Sequence, residues 1–212
     1  HRTVRARELW NKIITNAHAS AEPGIIFWDT MREYHNVEYA NPLTSTNPCG
    51  EQPLASYTAC NLGNLNLMKF VDEDGTFNHG ELAEATRVAT RFLDNVIEYN
   101  MDNHAFKKVR DAVASDRRVG LGITGMADAF VLMKKAYDSD EALEAIEQIM
   151  QTICYNAYET SIDLAEEKGA FSLFDWKGLS KSKFIQGLPK NIQKRIEEKG
   201  LRNCTLITMP PV

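Results

Sequence analysis

A chain of 212 residues is long enough to bury a sizeable core within one large domain. Its 43% hydrophobic and 25% charged residues are ordinary values for a globular protein, and no apolar run approaches the length needed to span a membrane. The formal net charge of −5 argues against duplex DNA or an anionic membrane as the main partner. Four cysteines without a secretory signal indicate reduced thiols and a cytoplasmic location.

The first part of the chain is predicted to form one helix and then lead through a strand and a loop into a cysteine motif. Residues 4–20 carry apolar side chains at helical spacing, and Pro23-Gly24 ends this helix. The apolar run Ile25–Trp28 predicts a short buried strand. Residues 30–48 are polar and interrupted by prolines, which predicts a loop.

The second part alternates long helices with short apolar segments. Residues 82–97 and 140–168 each carry an apolar stripe at helical spacing, and residues 190–199 predict a shorter, charged helix. Residues 206–209 predict the last strand. Because no linker is long enough to divide the chain, this alternation indicates a single domain of the α/β class.

The motif Asn47–Glu51 places an amide, a thiol and a carboxylate at alternate positions. In an extended segment, the side chains of Asn47, Cys49 and Glu51 would point to the same side. Pro48 favours an extended conformation at Asn47, and Gly50 permits a bend or the close approach of a ligand. Such a grouping is typical of a reaction centre, but the local pattern fits equally well a loop that merely contains a cysteine.

The segments around this motif resemble a known enzyme family. Asn47–Leu54 and Cys60–Leu67 together resemble the active-site region of ribonucleotide reductases, most closely the adenosylcobalamin-dependent (class II) branch. Further along, three segments follow in the family's order: Arg117–Asp128 is similar to its glycine segment, Leu164–Phe171 to the end of a long helix, and Arg202–Pro211 to the entry of its phosphate-binding turn. The resemblance covers nearly the whole chain.

The resemblance implies a ten-stranded α/β barrel whose central finger loop carries the reactive cysteine. On this expectation, residues 1–212 are the central portion of one catalytic barrel domain, and the segment around Cys49 is the finger loop. Because the chain starts at His1 in helix-like sequence and stops at Val212 after a predicted strand, we expect an internal fragment of a longer protein that is inactive by itself.

The resemblance also implies catalytic roles in the reduction of ribonucleotides to 2′-deoxyribonucleotides. Cys49 would become a thiyl radical that abstracts hydrogen from C3′ of the ribose, and Glu51 would act as base on the 3′ hydroxyl. Asn47 would hydrogen-bond the sugar hydroxyls. Cys60 would be one thiol of the redox pair that reduces the radical intermediate, with its partner upstream of His1.

At the other end of the chain, the resemblance assigns a phosphate-binding role to Pro210, Pro211 and Val212. Val212 departs from the threonine that commonly follows the prolines in the family. The implied cofactor is adenosylcobalamin, and the short gap between Cys49 and Cys60 fits that branch.

The implied partners are a ribonucleotide substrate, with a preference for diphosphates, and a dithiol reductant such as thioredoxin. Deoxyribonucleoside triphosphate or ATP effectors would bind the full-length protein, and a homodimer is compatible with the family.

Three alternatives stay open. The first is the metal-radical-subunit-dependent (class I) large subunit of the same family. The second is a hydrolase with Cys49 as nucleophile and Glu51 beside it, which requires a neighbouring cation or base that lowers the pKa of the thiol. The third is a non-catalytic, nucleotide-sensing fragment.

The sequence argues against two further types of site, a zinc site and a dinucleotide-binding site. The spacing of Cys49 and Cys60, without a paired Cys/His cluster, is not a zinc spacing, and we expect no metal site. Residues 120–125 match a dinucleotide fingerprint as a string but lack the preceding strand, so they predict tight packing of a strand on a helix instead.

Overall fold

The computed structural model describes residues 3–210 and divides the chain into two compact units, with the boundary between Met31 and Arg32. In the first unit, the predicted helix is confirmed as α1 (Ala6–Ser20). The predicted buried strand Ile25–Trp28 is wrong, because residues 25–27 are irregular and exposed and α2 (Trp28–Tyr34) begins at Trp28. A run of four apolar residues has no periodicity that distinguishes a strand from an irregular segment.

The second unit contains an antiparallel hairpin and a parallel sheet. The strands that the structure describes are β1 (Leu43–Thr46), β2 (Pro53–Ala55), β3 (Asn61–Asn66) and β4 (Val119–Thr124). β1 pairs with β2 in the hairpin, whereas β3 and β4 pair in parallel. A parallel bridge between Leu121 and Ile207 adds a third segment beside β4, and this bridge is the only part of the predicted last strand found among the described residues.

Helices connect the parallel segments, as parallel pairing requires. The predicted helices are confirmed, and the full set described in this unit is α3 (His79–Asn100), α4 (Lys107–Asp116), α5 (Met126–Leu132), α6 (Asp140–Lys168), α7 (Trp176–Leu179), α8 (Lys183–Gly187) and α9 (Lys190–Lys199). Ser139 caps the start of α6 by accepting a hydrogen bond from the Ala142 amide, and the helix ends at Gly169.

The hydrophobic core lies between the sheet and the helices. Val119, Leu121 and Ile123, which alternate along β4, are buried in it. On α3 the predicted apolar stripe is only partly correct, because Val88 and Phe92 are exposed. Thr86 and Thr90 occupy two turns of the buried face instead. Each threonine hydroxyl donates a hydrogen bond to the backbone carbonyl four residues earlier, so both hydroxyls are hydrogen-bonded without water.

A buried ionic network joins α3 to two loops. Asp94 of α3 is fully buried, and its carboxylate accepts hydrogen bonds from Arg117 at 2.7 Å, from Asn203 at 2.9 Å and from Arg202 at 3.4 Å. Glu98, one turn further along α3, pairs with both arginines. These contacts fix the segment before β4 and the segment before Ile207 to the same helix.

The α/β architecture is therefore confirmed. Over residues 3–210, however, the three parallel segments form an open arrangement and do not close into a barrel. No helix in this described range is long and apolar enough to cross a membrane.

Candidate active site

The motif Asn47–Glu51 forms the connection of the β1–β2 hairpin. The Asn47 amide donates to the Gln52 carbonyl at 3.2 Å, and the Gly50 amide donates to the Asn47 carbonyl at 3.1 Å, which closes a tight turn. Gly50 has a φ of 86°, a conformation that glycine adopts at no steric cost. The expected extended conformation is therefore wrong: a turn, and not strand alternation, sets the directions of these side chains.

Within the turn, the structure brings two of the predicted site residues into direct contact. The Asn47 side-chain amide donates to Glu51 Oε1 at 2.5 Å, and Asn47 Oδ1 accepts from the Gln52 backbone amide at 3.0 Å. Glu51 Oε2 is buried and has no hydrogen-bond partner among the described residues. Cys49 is a free, exposed thiol in the same turn. The turn thus contains an exposed sulfur and the Glu51 carboxylate, one oxygen of which is held by Asn47 while the other has no hydrogen-bond partner in the described part of the chain.

Three side chains outside the motif hold the hairpin in place. The Thr208 hydroxyl donates to the Glu51 carbonyl at 3.0 Å, and Arg118 Nη1 donates to the Pro53 carbonyl at 3.3 Å. Gln52 is buried where the hairpin meets β4. None of these three was predicted to belong to the site, although all three lie in segments that carry the family resemblance.

Glycines on β4 make this close approach possible. A Cβ atom at Gly120 would lie 2.7 Å from Gln52 Nε2 and 2.8 Å from Thr208 Cγ2. A Cβ atom at Gly122 would lie 2.5 Å from Pro210 Cδ and 2.9 Å from the Thr208 carbonyl oxygen. Gly120 and Gly122 lie inside β4, and the element before β4 is the helix α4. A dinucleotide-binding fingerprint instead requires its glycines to follow a strand, so the structure contradicts such a site. The two glycines leave room for the hairpin and the third parallel segment, and the predicted packing of this strand against a helix is therefore wrong for them.

Replacing Gly122 with alanine should destabilise the protein and lower its activity. The added methyl group would collide with the rigid Pro210 ring and with backbone at Thr208, and overpacking of this kind costs about 1–3 kcal/mol. Gly187→Ala is the matched control, because no atom lies within 4 Å of a Cβ placed there. Hydrogen exchange of β4 amides in the full-length protein checks the expectation, with faster exchange in Gly122→Ala only. Equal exchange in the two variants would mean that the contact between β4 and Thr208 is not tight.

Cys60, the second predicted thiol, lies directly before β3 and is half-buried. Its Sγ lies 3.6 Å from the Asn61 carbonyl oxygen. Burial raises the pKa of the Cys60 thiol to about 12, an effect that the Arg118 guanidinium opposes and the Asp116 and Glu51 carboxylates reinforce. Because Asn61 pairs with Val119, Cys60 lies beside Arg118, which contacts the hairpin at the Pro53 carbonyl.

The predicted phosphate-binding residues fall at the limit of the structure. Pro210 is the last described residue and lies beside Gly122, at the end of the third parallel segment. Pro211 and Val212 lie outside the described residues. Between residues 3 and 210, no group of three or more His, Cys, Asp or Glu side chains is arranged to hold a metal ion.

Comparison with known families agrees with this geometry. The family described as "Ribonucleotide reductase, barrel domain" matches residues 1–212. The chain belongs to this family, and the resemblance found in its motifs is confirmed.

Two vitamin B12-dependent reductases are among the relatives that are similar to the chain. It is 36% identical over 208 residues to a vitamin B12-dependent ribonucleoside-diphosphate reductase of Thermoplasma acidophilum, covering 98% of this chain and 25% of the relative. The enzyme of the same name from Mycobacterium tuberculosis (strain CDC 1551 / Oshkosh) is 38% identical over 169 residues, covering 80% of this chain and 24% of the relative.

A ribonucleoside-diphosphate reductase large subunit of Caenorhabditis elegans is 30% identical over 226 residues, which cover 99% of this chain and 28% of the relative. The chain thus spans about a quarter of the length of the curated relatives it matches.

Proposed function

We propose that this chain is the central portion of the catalytic barrel of a ribonucleotide reductase, which reduces ribonucleoside diphosphates to 2′-deoxyribonucleotides with adenosylcobalamin as the source of the radical. The observation that carries the proposal is the hairpin turn, in which the Cys49 sulfur is exposed and Glu51 has a buried oxygen without a partner. An unpaired buried carboxylate oxygen is costly, and a hydroxyl group of a bound substrate would satisfy it.

In the proposed reaction, Cys49 acts as a hydrogen-atom acceptor and later as a donor. Its thiyl radical removes the hydrogen atom from C3′ of the ribose, which leaves a thiol on Cys49 and an unpaired electron on C3′. After reduction of the sugar, the same thiol returns a hydrogen atom to C3′, so that the sulfur radical is regenerated. An exposed sulfur in a turn closed by backbone hydrogen bonds can reach the substrate without rearrangement of the hairpin.

Glu51 acts as the base. Its Oε2 accepts the proton of the 3′ hydroxyl, and this proton transfer eases departure of the 2′ hydroxyl, which takes a proton from one of the redox thiols and leaves as water. Asn47 holds Glu51 Oε1 by a hydrogen bond, which leaves Oε2 as the oxygen directed at the substrate. In the complex with substrate, the Asn47 amide is also placed to contact the sugar hydroxyls.

Cys60 supplies reducing equivalents together with a second thiol in the rest of the protein. The two thiols give up two electrons and two protons to the sugar intermediate and become a disulfide. A dithiol such as thioredoxin then reduces this disulfide by thiol–disulfide exchange. The position of Cys60 next to β3, beside the arginine that contacts the hairpin at Pro53, supports this assignment.

Adenosylcobalamin, when bound, would supply the radical that takes the hydrogen atom from the Cys49 thiol and so leaves a thiyl radical on the sulfur. The residues present fit this requirement, because the Cys49 sulfur is exposed and therefore accessible to such a radical. The names of the relatives at 36% and 38% identity, both vitamin B12-dependent, support this branch over the metal-radical branch.

The remaining parts of the proposal concern the whole protein. We assign residues 1–212 to a ten-stranded barrel that further strands complete, with Pro210, Pro211 and Val212 at the turn that binds the substrate phosphates. The full-length protein would bind nucleotide effectors and form a homodimer, and the enzyme would operate in the cytoplasm.

The deciding experiment measures deoxyribonucleotide formation by the full-length parent protein with a dithiol reductant. We expect product from ribonucleoside diphosphates when adenosylcobalamin is added and no product without it. Product that appears only after addition of a metal-radical subunit would move the protein to the other branch of the family. No product under either condition would contradict the catalytic assignment and favour the nucleotide-sensing alternative.

The hydrolase alternative is less well supported. A cysteine nucleophile requires a neighbouring cation or base that favours the thiolate. The charged side chain in the turn is Glu51, and residues 47–52 contain no cation and no histidine that could serve this role.

A further inference from the structure

The residues immediately before the parallel segments form a row in which an arginine lies between two cysteines. Asn61 of β3 is paired with Val119 of β4, so Cys60 and Arg118, the residues that precede this pair, are neighbours. On the other side of β4, the Val119 amide donates to the Thr205 carbonyl at 3.2 Å. Cys204, which precedes Thr205, is therefore the neighbour of Arg118 on that side.

Arg118 is buried in this row to an unusual degree for an arginine. Only 2% of its surface is exposed. One of its guanidinium nitrogens, Nε, has no hydrogen-bond partner among the described residues, and its Nη2 lies 3.4 Å from Asp116 Oδ2. Asp116 is itself fully buried, and its second oxygen, Oδ1, also lacks a partner. A buried ion pair with two unsatisfied atoms is poor for stability, which suggests a different reason for its presence.

We propose that Arg118 is the positioning residue of the redox thiol Cys60: it holds the base of the hairpin through the Pro53 carbonyl and places a buried positive charge beside the Cys60 sulfur. This inference rests on the redox role proposed above for Cys60. Asp116 weakens the effect of Arg118 on the Cys60 sulfur, because its carboxylate offsets part of the guanidinium charge.

The positive charge of Arg118 assists the reduction of the disulfide that Cys60 forms. The thiolate of the incoming dithiol attacks one sulfur of the disulfide, the bond between Cys60 and its partner thiol breaks, and the electron pair remains on the sulfur that leaves. When Cys60 is that leaving group, its negative charge develops in a site that disfavours charge because it is buried. The neighbouring guanidinium offsets this cost, whereas the Asp116, Glu51 and Cys204 groups that share the site supply no positive charge.

The test uses the fully reduced, full-length parent protein and measures the rate at which iodoacetamide alkylates Cys60, read by mass spectrometry. Only the thiolate reacts, so the rate below the pKa follows the thiolate fraction. We expect Arg118→Gln to slow alkylation roughly tenfold and Asp116→Asn to accelerate it by a similar factor, as a change of about one pKa unit implies. Loss of packing alone would expose the thiol and accelerate alkylation in both variants, so slower reaction of Arg118→Gln has no purely structural explanation.

Two controls are built into the chain. Cys154 on α6 is also half-buried, and burial alone raises the pKa of its thiol to about 12, so its alkylation rate should be the same in every variant. Arg117→Gln removes the adjacent buried arginine, which pairs with Asp94 instead, and should leave the Cys60 rate unchanged. If Arg118→Gln does not fold, Asp116→Asn decides together with Asp116→Glu, which disturbs the packing but keeps the negative charge. Faster alkylation of Cys60 in Asp116→Asn alone supports the proposal, whereas an unchanged rate, or equal acceleration in both variants, overturns it.

Faster or unchanged alkylation of Cys60 in folded Arg118→Gln would likewise overturn the inference. Failure of this inference can be distinguished from failure of the proposed function, because the alkylation rate is measured without catalytic turnover. If Cys60 has no redox role, Cys60→Ser will still form deoxyribonucleotides at the wild-type rate, whatever the alkylation rates show.

Discussion

Replacing Cys49 with serine in the full-length parent protein should abolish deoxyribonucleotide formation. Serine cannot replace a thiol here, because its O–H bond is too strong to exchange a hydrogen atom with ribose carbon near energetic balance. The fold should survive, since the hydrogen bonds that close the turn come from Asn47, Gly50 and Gln52. The product assay with adenosylcobalamin present measures the loss, and substrate affinity measured alongside should stay close to that of the wild type.

The control for this prediction is Cys154→Ala, which removes a thiol that packs against the core on α6 and contacts no proposed site residue. It should retain most of the activity. Measurable product from Cys49→Ser would contradict a radical role for this sulfur. Equal loss of activity in the two variants would point to a general effect of losing a thiol and not to the chemistry of the turn.

The order of motifs along the sequence was sufficient to identify the family, but it did not predict how the turn is built. An Asn-Pro-Cys-Gly-Glu string is compatible with an extended segment, and only the pairing of β1 with β2 brings Asn47 close enough to Gln52 to close a turn. That pairing depends on contacts beyond the motif, among them the Thr208 hydroxyl, which donates to Glu51 from a segment far along the chain.

The two adjacent arginines show why site residues outside the motif were not found. Arg117 and Arg118 differ in no property that the sequence reveals, yet Arg117 contacts Asp94 on α3 whereas Arg118 contacts the hairpin at Pro53. The difference follows from the register of β4 against β3, which is set by parallel pairing between distant segments. Local periodicity contains no information about that register. The helices α1, α3, α6 and α9, by contrast, follow from local apolar spacing and end signals, and they were predicted correctly. The shorter helices α2, α4, α5, α7 and α8 were not predicted.

The buried face of α3 likewise depends on contacts with distant segments that local periodicity does not reveal. Apolar spacing predicts that Val88 and Phe92 face the core, but they are exposed, and a carboxylate is fully buried at Asp94 instead. A buried charge is tolerated only with partners, and its partners Arg117 and Arg202 come from two loops far along the chain. The sequence alone does not reveal that these residues converge.

Because of these partners, Asp94→Ala should destabilise the protein more than Gly122→Ala does. It would leave the guanidinium groups of Arg117 and Arg202 buried with fewer acceptors, and breaking a buried ion pair from one side costs about 3–5 kcal/mol. The effect should be local at first, since Asp94 ties α3 to the segments before β4 and before Ile207. Hydrogen exchange of α3 amides in the full-length protein is the appropriate measurement, because a large protein does not unfold in a single two-state step.

Glu167→Gln provides the contrast. Its carboxylate pairs with Arg91 at 2.6 and 2.8 Å, a geometry as close as that of Asp94, but both partners are exposed to solvent. Water replaces the lost contact there, so protection of α3 should change little. If burial determines the cost, only Asp94→Ala will accelerate exchange along α3. Similar acceleration in both variants would mean that charge pairing alone, irrespective of burial, holds this helix against its neighbours.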